Sequence, residues 1–281
     1  MNGYGRLSAI QRDIAGVTSE KLISELITLR DEVSREFDRE TRRHFHGLTA
    51  TRYYSGSGAR ELWLGDDLLS ITTIKIADTA DQPTAFENTL TTATDYTLWP
   101  RNADGKPYRK IILNPDGEYS AWPVGVDNIQ LVGKFGYSEE WQTAVVNGTA
   151  VTGTLANGTD TTLVLSLGGD VEPGDMLQVG SEEMEVTGVA GTTAIVVRGC
   201  NGTTAAAATD AAVYIRRYPR DVENVVKERT VARRWDSQGG YAGGITLSGD
   251  SMNAAGQTTG RGVYSRWRDT VGAYVNPAAV L

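Results

Sequence analysis

Apolar positions near the start of the chain recur with a helical period. Ser19 and Glu20 can cap and charge a helix start. From Leu22 onward, apolar residues then return every three or four positions through Phe37. This spacing places them in one stripe and predicts an amphipathic helix that runs to about His44. Such a helix is on the order of 40 Å long, and charged residues of both signs crowd its second half.

A β-type pattern follows the predicted helix. The segments are short, β-branched or aromatic, and bounded by Gly, Asp, Asn or Pro, which is typical of strands. The predicted strands are Thr49–Tyr54, Glu61–Leu64, Leu68–Ile76, Tyr96–Trp99, Arg109–Leu113 and Ile129–Phe135. Ile71, Ile74 and Ile76 partly alternate with polar residues, so we expect that strand to be half-buried.

The composition changes after Trp141. Aromatic residues become rare and Gly, Thr, Val and Ala dominate up to about Arg216. Five apolar segments recur there at a spacing of roughly ten residues, which is typical of small sandwiches and barrels. They are Leu163–Leu165, Met176–Val179, Met184–Val186, Ala194–Val197 and Val213–Ile215. We interpret this region as an inserted all-β subdomain, with the Asn-Gly-Thr triplets at Asn147, Asn157 and Asn201 as turns.

Helical spacing returns near the C-terminus. Pro219 suits a helix start because its φ is fixed, and an apolar stripe continues to Trp235 before Gly239-Gly240 ends it. The last segment, 238–281, is rich in Gly, Ser and Thr and cannot bury enough apolar surface alone. We therefore predict a flexible C-terminal arm that orders against a partner. Its candidate docking residues are Tyr264, Trp267, Val271 and Tyr274.

Together these patterns predict an α+β fold. A helical body, made of the long N-terminal helix and the return helix with β-strands, takes residues 1–141 and 217–237. The inserted β subdomain takes residues 142–216, and the extended arm takes residues 238–281.

Composition narrows the classes of function. The formal net charge is −8 over 281 residues, which argues against a sequence-independent nucleic-acid binder, because such proteins neutralise phosphates with basic patches. A local basic patch at Arg39–Arg43 or at Arg216-Arg217 stays open as an alternative, but we expect both clusters to be the solvated end of a helix or strand. No apolar run approaches the ~18 residues of a membrane span. Cys200 is the single cysteine, so no intrachain disulfide forms, which is compatible with assembly in a reducing cytoplasm.

The sequence contains few residues in patterns typical of catalytic or metal sites. His44 and His46 are the two histidines, and their spacing suits a helical metal pair poorly. We interpret Asp66-Asp67 as a turn and place Glu183 and Glu185, which flank Met184 in the carboxylate run 182–185, on the outward face of a strand. We therefore expect no enzyme activity, no cofactor and no metal.

The order of several short motifs resembles the head–tail connector (adaptor or head-completion) proteins of tailed bacteriophages. After the amphipathic helix come four strings: Thr51-Arg52-Tyr53-Tyr54-Ser55-Gly56, then Leu62-Trp63-Leu64-Gly65-Asp66-Asp67-Leu68-Leu69-Ser70-Ile71, then Asp95-Tyr96-Thr97-Leu98-Trp99-Pro100, then Ile129-Gln130-Leu131-Val132-Gly133-Lys134-Phe135-Gly136-Tyr137. The helix from Val222 to Trp235 matches the family's return helix. The resemblance covers residues 18–137 and 217–237, and the insertion 142–216 resembles small β modules of phage neck and tail proteins.

The resemblance implies a structural virion protein with a helical adaptor body. Copies of the chain, usually twelve, would form a ring under the portal protein, extend the DNA channel and carry the next neck or tail protein. The long helix is then the expected face between neighbouring copies, and the arm would dock on the portal or on a neighbour. A carboxylate-lined channel would let DNA pass without specific binding. The expected location is the virion neck, after assembly in the cytoplasm of a bacterial host and without contact to a membrane.

Alternative functions remain open from the sequence. One is a glycan-binding virion protein, in which Trp63, Trp99, Trp122 and Trp141 form an exposed stacking platform. Another is an enzyme with paired carboxylates in a deep pocket, roughly 5–10 Å apart. A third is a tail or baseplate component, which differs from the adaptor in its partner.

Overall fold

The computed structural model describes residues 2–14, 19–77, 81–102, 106–239 and 260–276. The chain forms two compact units: Met1–Arg42 with Glu140–Val275 (unit 1), and Arg43–Glu139 with Asn276–Leu281 (unit 2). The helices are α1 (Leu7–Asp13), α2 (Glu20–Thr41), α3 (Arg220–Gly239) and α4 (Gly260–Tyr274). The strands are β1 (Leu48–Gly56), β2 (Glu61–Ile76), β3 (Asn88–Leu90), β4 (Tyr96–Trp99), β5 (Tyr108–Leu113), β6 (Gly125–Phe135), β7 (Glu140–Thr143), β8 (Val145–Val146), β9 (Thr149–Ala150), β10 (Thr152–Leu155), β11 (Thr162–Leu165), β12 (Met176–Val179), β13 (Glu182–Ala190), β14 (Thr193–Val197) and β15 (Ala208–Arg217).

Unit 2 is built on an antiparallel sheet. Its strand order is β1-β6-β2-β5-β4, and β3 pairs with β2 beside this path. Alternate residues of these strands, such as Ile111 and Leu113 of β5, point into one core with Trp122 and Phe135. The other sides of β2, β4 and β5 leave side chains open to solvent, which matters for the surface described below.

Unit 1 contains a closed six-stranded antiparallel barrel. The strands pair in the order β10-β11-β14-β13-β12-β15. Because β15 also pairs with β10, the barrel closes on itself between these two strands. β7 pairs with the last part of β15, Tyr214–Arg217, whereas β10 pairs with its first part. Leu163, Leu177, Met184 and Val213 are among the fully buried residues that fill the interior. Asn147 and Gly148 adopt φ values of 50° and 81° between β8 and β9, the geometry that a two-residue hairpin turn requires.

The helices of unit 1 pack on one another. Ser19 caps α2 by accepting a hydrogen bond from the Leu22 amide, and α2 ends where Arg42 enters the left-handed region at φ 54°. α2 and α3 lie side by side, and α4 packs against both. The amphipathic helix predicted from the N-terminal stripe is confirmed, although it ends at Thr41 rather than at about His44.

The prediction of an α+β fold with a helical adaptor body is wrong. The chain is predominantly β, with 39% strand and 26% helix, and its described residues contain a six-stranded β-barrel and four helices. The physical reason lies in the pairing. The segments between 48 and 135, which we placed in the helical body, pair with one another and enclose a separate apolar core. The helices are therefore one layer of unit 1 and do not form the body of the molecule.

The strand predictions for individual segments fare better. All five segments predicted in the region 142–216 lie in β11 to β15. In the predicted arm, residues 260–274 form α4, while residues 240–259 and 277–281 lie outside the described residues. The division into body, insertion and arm concerns roles in assembly and stays a prediction.

Candidate functional site

The predicted docking residues of the C-terminal segment lie on α4, which packs within unit 1. Trp267 is 2% exposed; its ring meets Phe37 of α2 edge-on at 5.2 Å, and its indole N–H donates to Glu40 Oε2 at 2.8 Å. The Arg229 guanidinium lies over the Tyr264 ring at 4.2 Å and near the Trp267 ring at 5.2 Å. Trp267 therefore serves the internal packing of the helices in this conformation.

The other predicted docking residues are less enclosed. Tyr264 is 45% exposed, and Val271 is half-buried. The Tyr274 hydroxyl donates to Asp221 Oδ1 at 3.0 Å, which ties the end of α4 to the start of α3. Of the four predicted residues, Tyr264 offers the largest surface to a partner.

The charged edge of α2 was the expected ring interface, but much of it is engaged within unit 1. Glu36 accepts hydrogen bonds from Arg229 at 2.9 Å and from Arg233. Arg30 is 1% exposed and donates to the Gly174 carbonyl at 3.2 Å and to the neighbouring Asp31 carboxylate. These side chains position the helix on the barrel and on α3.

Two adjacent carboxylates of β13 are buried rather than outward-facing. The prediction that Glu183 lies on an exposed face is wrong: it is 0% exposed and accepts from Arg216 Nη2 at 2.5 Å. Glu182 is 1% exposed and makes a bidentate pair with Arg198 at 2.7 and 2.6 Å. Burial opposes ionisation of Glu182, but the hydrogen bonds from Arg198 and from the Ala206 and Gly199 amides together outweigh it and lower its pKa.

These pairs also correct the interpretation of the basic cluster at Arg216-Arg217. Arg216 is buried, and its guanidinium lies over the Trp141 ring at 4.4 Å. Arg217 is paired with Glu223 at 3.0 Å. Arg216 is thus buried within unit 1 and Arg217 is paired with a carboxylate, so the expectation of a solvated strand end is wrong for Arg216.

The N-terminal segment is held on the barrel by a second ionic cluster. Arg6 pairs with Asp170 at 2.9 Å and with Glu172 and Asp175, each at 3.2 Å. Burial raises the pKa of Asp175 to about 7, against the opposing effect of Arg6. Asp175 is 5% exposed, and its contact with Arg6 helps to hold the segment on the barrel.

The carboxylates of the Asp66-Asp67 pair have separate partners in unit 2. Asp66 is paired with Arg52, and Asp67 with Arg43 at 3.2 Å. Burial raises the pKa of Asp67 more than Arg43 lowers it. Both residues lie within β2, so the prediction of a turn at this position is wrong. The two acids therefore pair with different arginines.

A cleft of about 350 Å³ lies between α2 and α3. Glu25 and Glu32 line it together with Arg233 and Arg234. Glu25 is within 3.4 Å of Arg234, which makes it an ion-pair partner. The cleft is thus a mixed-charge groove along two helices.

The exposed Trp residues of unit 2 form one row across three neighbouring strands. Lys110 of β5 stands directly opposite Trp63 of β2 on one side and Trp99 of β4 on the other. The Lys110 ammonium lies 4.8 Å from the centre of the Trp63 ring and 5.4 Å from that of Trp99. It also donates to Glu61 Oε1 at 2.9 Å. We call Trp63, Lys110 and Trp99 the aromatic row.

The aromatic row is smaller than the predicted platform. Trp63 and Trp99 are 62% and 52% exposed, whereas Trp122 is 1% exposed and belongs to the core of unit 2. Trp141 is half-buried beneath Arg216. The prediction that all four Trp residues are exposed is therefore wrong, and the row contains two of them.

A second exposed apolar surface lies on the outer wall of the barrel. Val164 of β11 is 52% exposed, and Ile195 and Val197 of the neighbouring β14 are 55% and 49% exposed. Thr162 stands opposite Ile195 on the adjacent strand, and no charge separates these positions on β14. We call Val164, Ile195 and Val197 the barrel-wall patch. Exposed aliphatic side chains that cluster on neighbouring strands are typical of interaction surfaces.

No protein-family model, curated protein or solved structure matches the chain. Within the described ranges, no three His, Cys, Asp or Glu side chains come together in a way that could hold a metal ion. The helices of the described residues include none that is long and apolar enough to cross a membrane.

Proposed function

We propose that this chain is a structural protein of a tailed-phage particle, which assembles as a ring of copies beneath the portal protein. The observation that carries the assembly role is the barrel-wall patch, where three branched aliphatic side chains lie about half exposed on neighbouring strands. The order of the motifs at residues 18–137 supports the phage connector in particular. The fold gives no support to that choice, because the helical body that the resemblance implied is absent from the described residues.

In the proposed assembly, the barrel-wall patch of one copy contacts a different face of the next copy. Such a heterologous contact repeats around a closed ring, for which the family's usual number is twelve. Burial of Val164, Ile195 and Val197 would remove apolar area from water at each contact. Tyr264 on α4 is the candidate contact to the portal or to a downstream neck protein. The genome would pass through the ring without specific binding, as the net charge of −8 favours.

Mass photometry of the purified chain, alone and mixed with the portal protein of the same particle, tests the proposal. We expect a ring-sized species, or a complex with the portal. Ile195→Lys places a charge in the patch and is expected to abolish that species. Val124→Lys is the matched control, because Val124 is 78% exposed and lies in unit 2, outside the patch.

The outcomes separate clearly. A chain that stays monomeric in both conditions contradicts the proposal. A ring that survives Ile195→Lys leaves assembly intact but removes the barrel-wall patch as the contact.

A further inference from the structure

The geometry of the aromatic row makes it a preorganised surface, in which the positions of the side chains are set by the strand register. Residues that stand opposite one another on paired strands project to the same side of a sheet. Trp63, Lys110 and Trp99 occupy three adjacent strands in this way. Two strand spacings separate the strands that carry the indoles, a distance of roughly 10 Å. The row therefore presents two large apolar surfaces to solvent at a defined separation.

Lys110 fixes the two indoles. Its ammonium is within cation–π distance of both rings, and its side chain is only 14% exposed. The rings are thus held by a contact inside the chain and lose little freedom when a ligand arrives. Each indole nevertheless keeps more than half of its surface open.

The charge at the row is balanced. Glu61 accepts a hydrogen bond from Lys110 at 2.9 Å and is itself 43% exposed. A ligand that carries phosphates or sulfates requires cations that are not already neutralised, and Lys110 does not meet this requirement. What the row offers is a hydrogen-bond acceptor and a hydrogen-bond donor between two aromatic faces.

A neutral oligosaccharide has the complementary chemistry. One face of a sugar ring carries C–H groups that stack on an indole, and its rim carries hydroxyls that both donate and accept hydrogen bonds. The separation of the indoles is wider than one sugar ring, so two sugars of one chain are needed to cover both. We propose that the Trp63–Lys110–Trp99 row, with Glu61 beside it, binds an uncharged oligosaccharide. This activity is independent of ring assembly, which we assigned to the barrel-wall patch.

An array of short neutral oligosaccharides of glucose, galactose, mannose and N-acetylglucosamine, with sulfated and sialylated chains beside them, tests the proposal on the full-length chain. We expect binding to at least one neutral class. Trp63→Ala and Trp99→Ala should each weaken that binding about tenfold or more, the scale of an aromatic anchor. Trp235→Ala is the matched control, because Trp235 is 43% exposed on α3 in unit 1, and should leave binding unchanged.

Further readouts keep the test specific. Both indoles are exposed, so the circular dichroism and the unfolding temperature of the two alanine variants should match those of the parent chain. Binding should change little between low and high sodium chloride, because the ligand is uncharged.

Several results would overturn the proposal. They are the absence of binding to every neutral oligosaccharide, binding that survives both Trp substitutions, and binding confined to the anionic chains. Loss of the ring or of the portal complex in Trp63→Ala, without glycan binding by the parent chain, would show that the row contacts protein instead. Loss of ring formation in Ile195→Lys with glycan binding retained would leave this proposal standing.

Discussion

The buried pair between Glu183 and Arg216 allows a direct test of how the barrel is stabilised. The change is Glu183→Gln, which keeps the shape of the side chain and removes its charge. Glu183 Oε2 accepts from Arg216 Nη2 at 2.5 Å and from Asn201 Nδ2 at 2.7 Å. The side chains of Glu183 and Arg216 are each 1% exposed. After the change, the guanidinium would stay buried over the Trp141 ring without its counter-charge.

The size of the effect follows from this burial. Removing one partner of a buried pair leaves the other charge uncompensated and costs about 3–5 kcal/mol in the free energy of unfolding. This is a large share of the roughly 5–15 kcal/mol that holds a typical domain folded. The double change Glu183→Leu with Arg216→Met removes both charges and keeps apolar volume. It should therefore restore most of the stability that the single change loses.

Urea unfolding followed by circular dichroism, with hydrogen exchange of the β12 and β13 amides, measures the effect on unit 1. Glu185→Gln is the matched control, since Glu185 lies on the same strand but is half-exposed; a change within about 0.5 kcal/mol is expected there. A loss below about 1 kcal/mol for Glu183→Gln would refute the reasoning. A double variant no more stable than the single one would show that the apolar pair cannot replace the ionic pair.

Three further predictions rest on other parts of the structure. Asp175 has its pKa raised by burial to about 7, so between about pH 4 and pH 7 the folded chain holds a proton that the unfolded chain releases. The free energy of unfolding should fall by up to about 4 kcal/mol as pH rises through this window. Asp175→Asn should remove that part of the fall in pH-dependent urea titrations; an unchanged profile would contradict the shift. Trp267→Ala should cost about 3–5 kcal/mol by thermal or chemical unfolding, whereas the half-exposed Tyr264→Ala should cost about 1 kcal/mol or less; equal costs would contradict the burial of Trp267. Gly56→Ala should destabilise unit 2 strongly, because the new methyl carbon would fall 1.8 Å from the Pro123 carbonyl oxygen; a soluble variant with the parent unfolding temperature would contradict it.

Local periodicity was enough to predict many of the elements. α2 follows from an apolar stripe with period 3.6, and β11 to β15 follow from short apolar runs between glycines. These signals act over a few residues and depend little on the rest of the chain. The turn at Asn147-Gly148 was predictable for the same reason, because both residues tolerate positive φ.

The arrangement of the elements was not predictable in this way. Closure of the barrel requires β10 to pair with β15, whose residues lie more than fifty positions away along the chain. A pairing over that distance leaves no mark in local periodicity. The same holds for the sheet of unit 2, where β6 inserts between β1 and β2. Each strand of unit 2 was predicted from its own residues, so nothing indicated that the strands form a separate sheet, and we assigned them to a helical body.

The buried carboxylates show a second limit of the sequence. Glu183 and Glu185 flank Met184 along the strand, so both were placed on an outward face, as charged residues are almost never fully buried unless they are paired. Its partner Arg216 is 33 residues away, and the partner of Glu182, Arg198, is 16 residues away. The adjacent pair Glu182 and Glu183 breaks the alternation of β13, since both are buried. A run of acids next to apolar residues, with one arginine just after β14 and one within β15, is the signal that could have suggested these pairs.

The aromatic row could be predicted in part from the sequence, whereas the barrel-wall patch could not. The exposure of Trp63 and Trp99 was expected. Their common contact with Lys110 depends on how β2, β5 and β4 pair, and local sequence patterns do not predict that register. The barrel-wall patch was not predicted at all, because Val164 and Ile195 resemble core residues of any strand. Their exposure follows from alternation: Leu163 and Leu165, on either side of Val164, take the inward positions.

Because the patch lies in unit 1 and the aromatic row in unit 2, a charge at Ile195 and an alanine at Trp63 should act on separate properties. Chains that carry both changes should lose ring formation and glycan binding together, with each loss equal to that of its single variant.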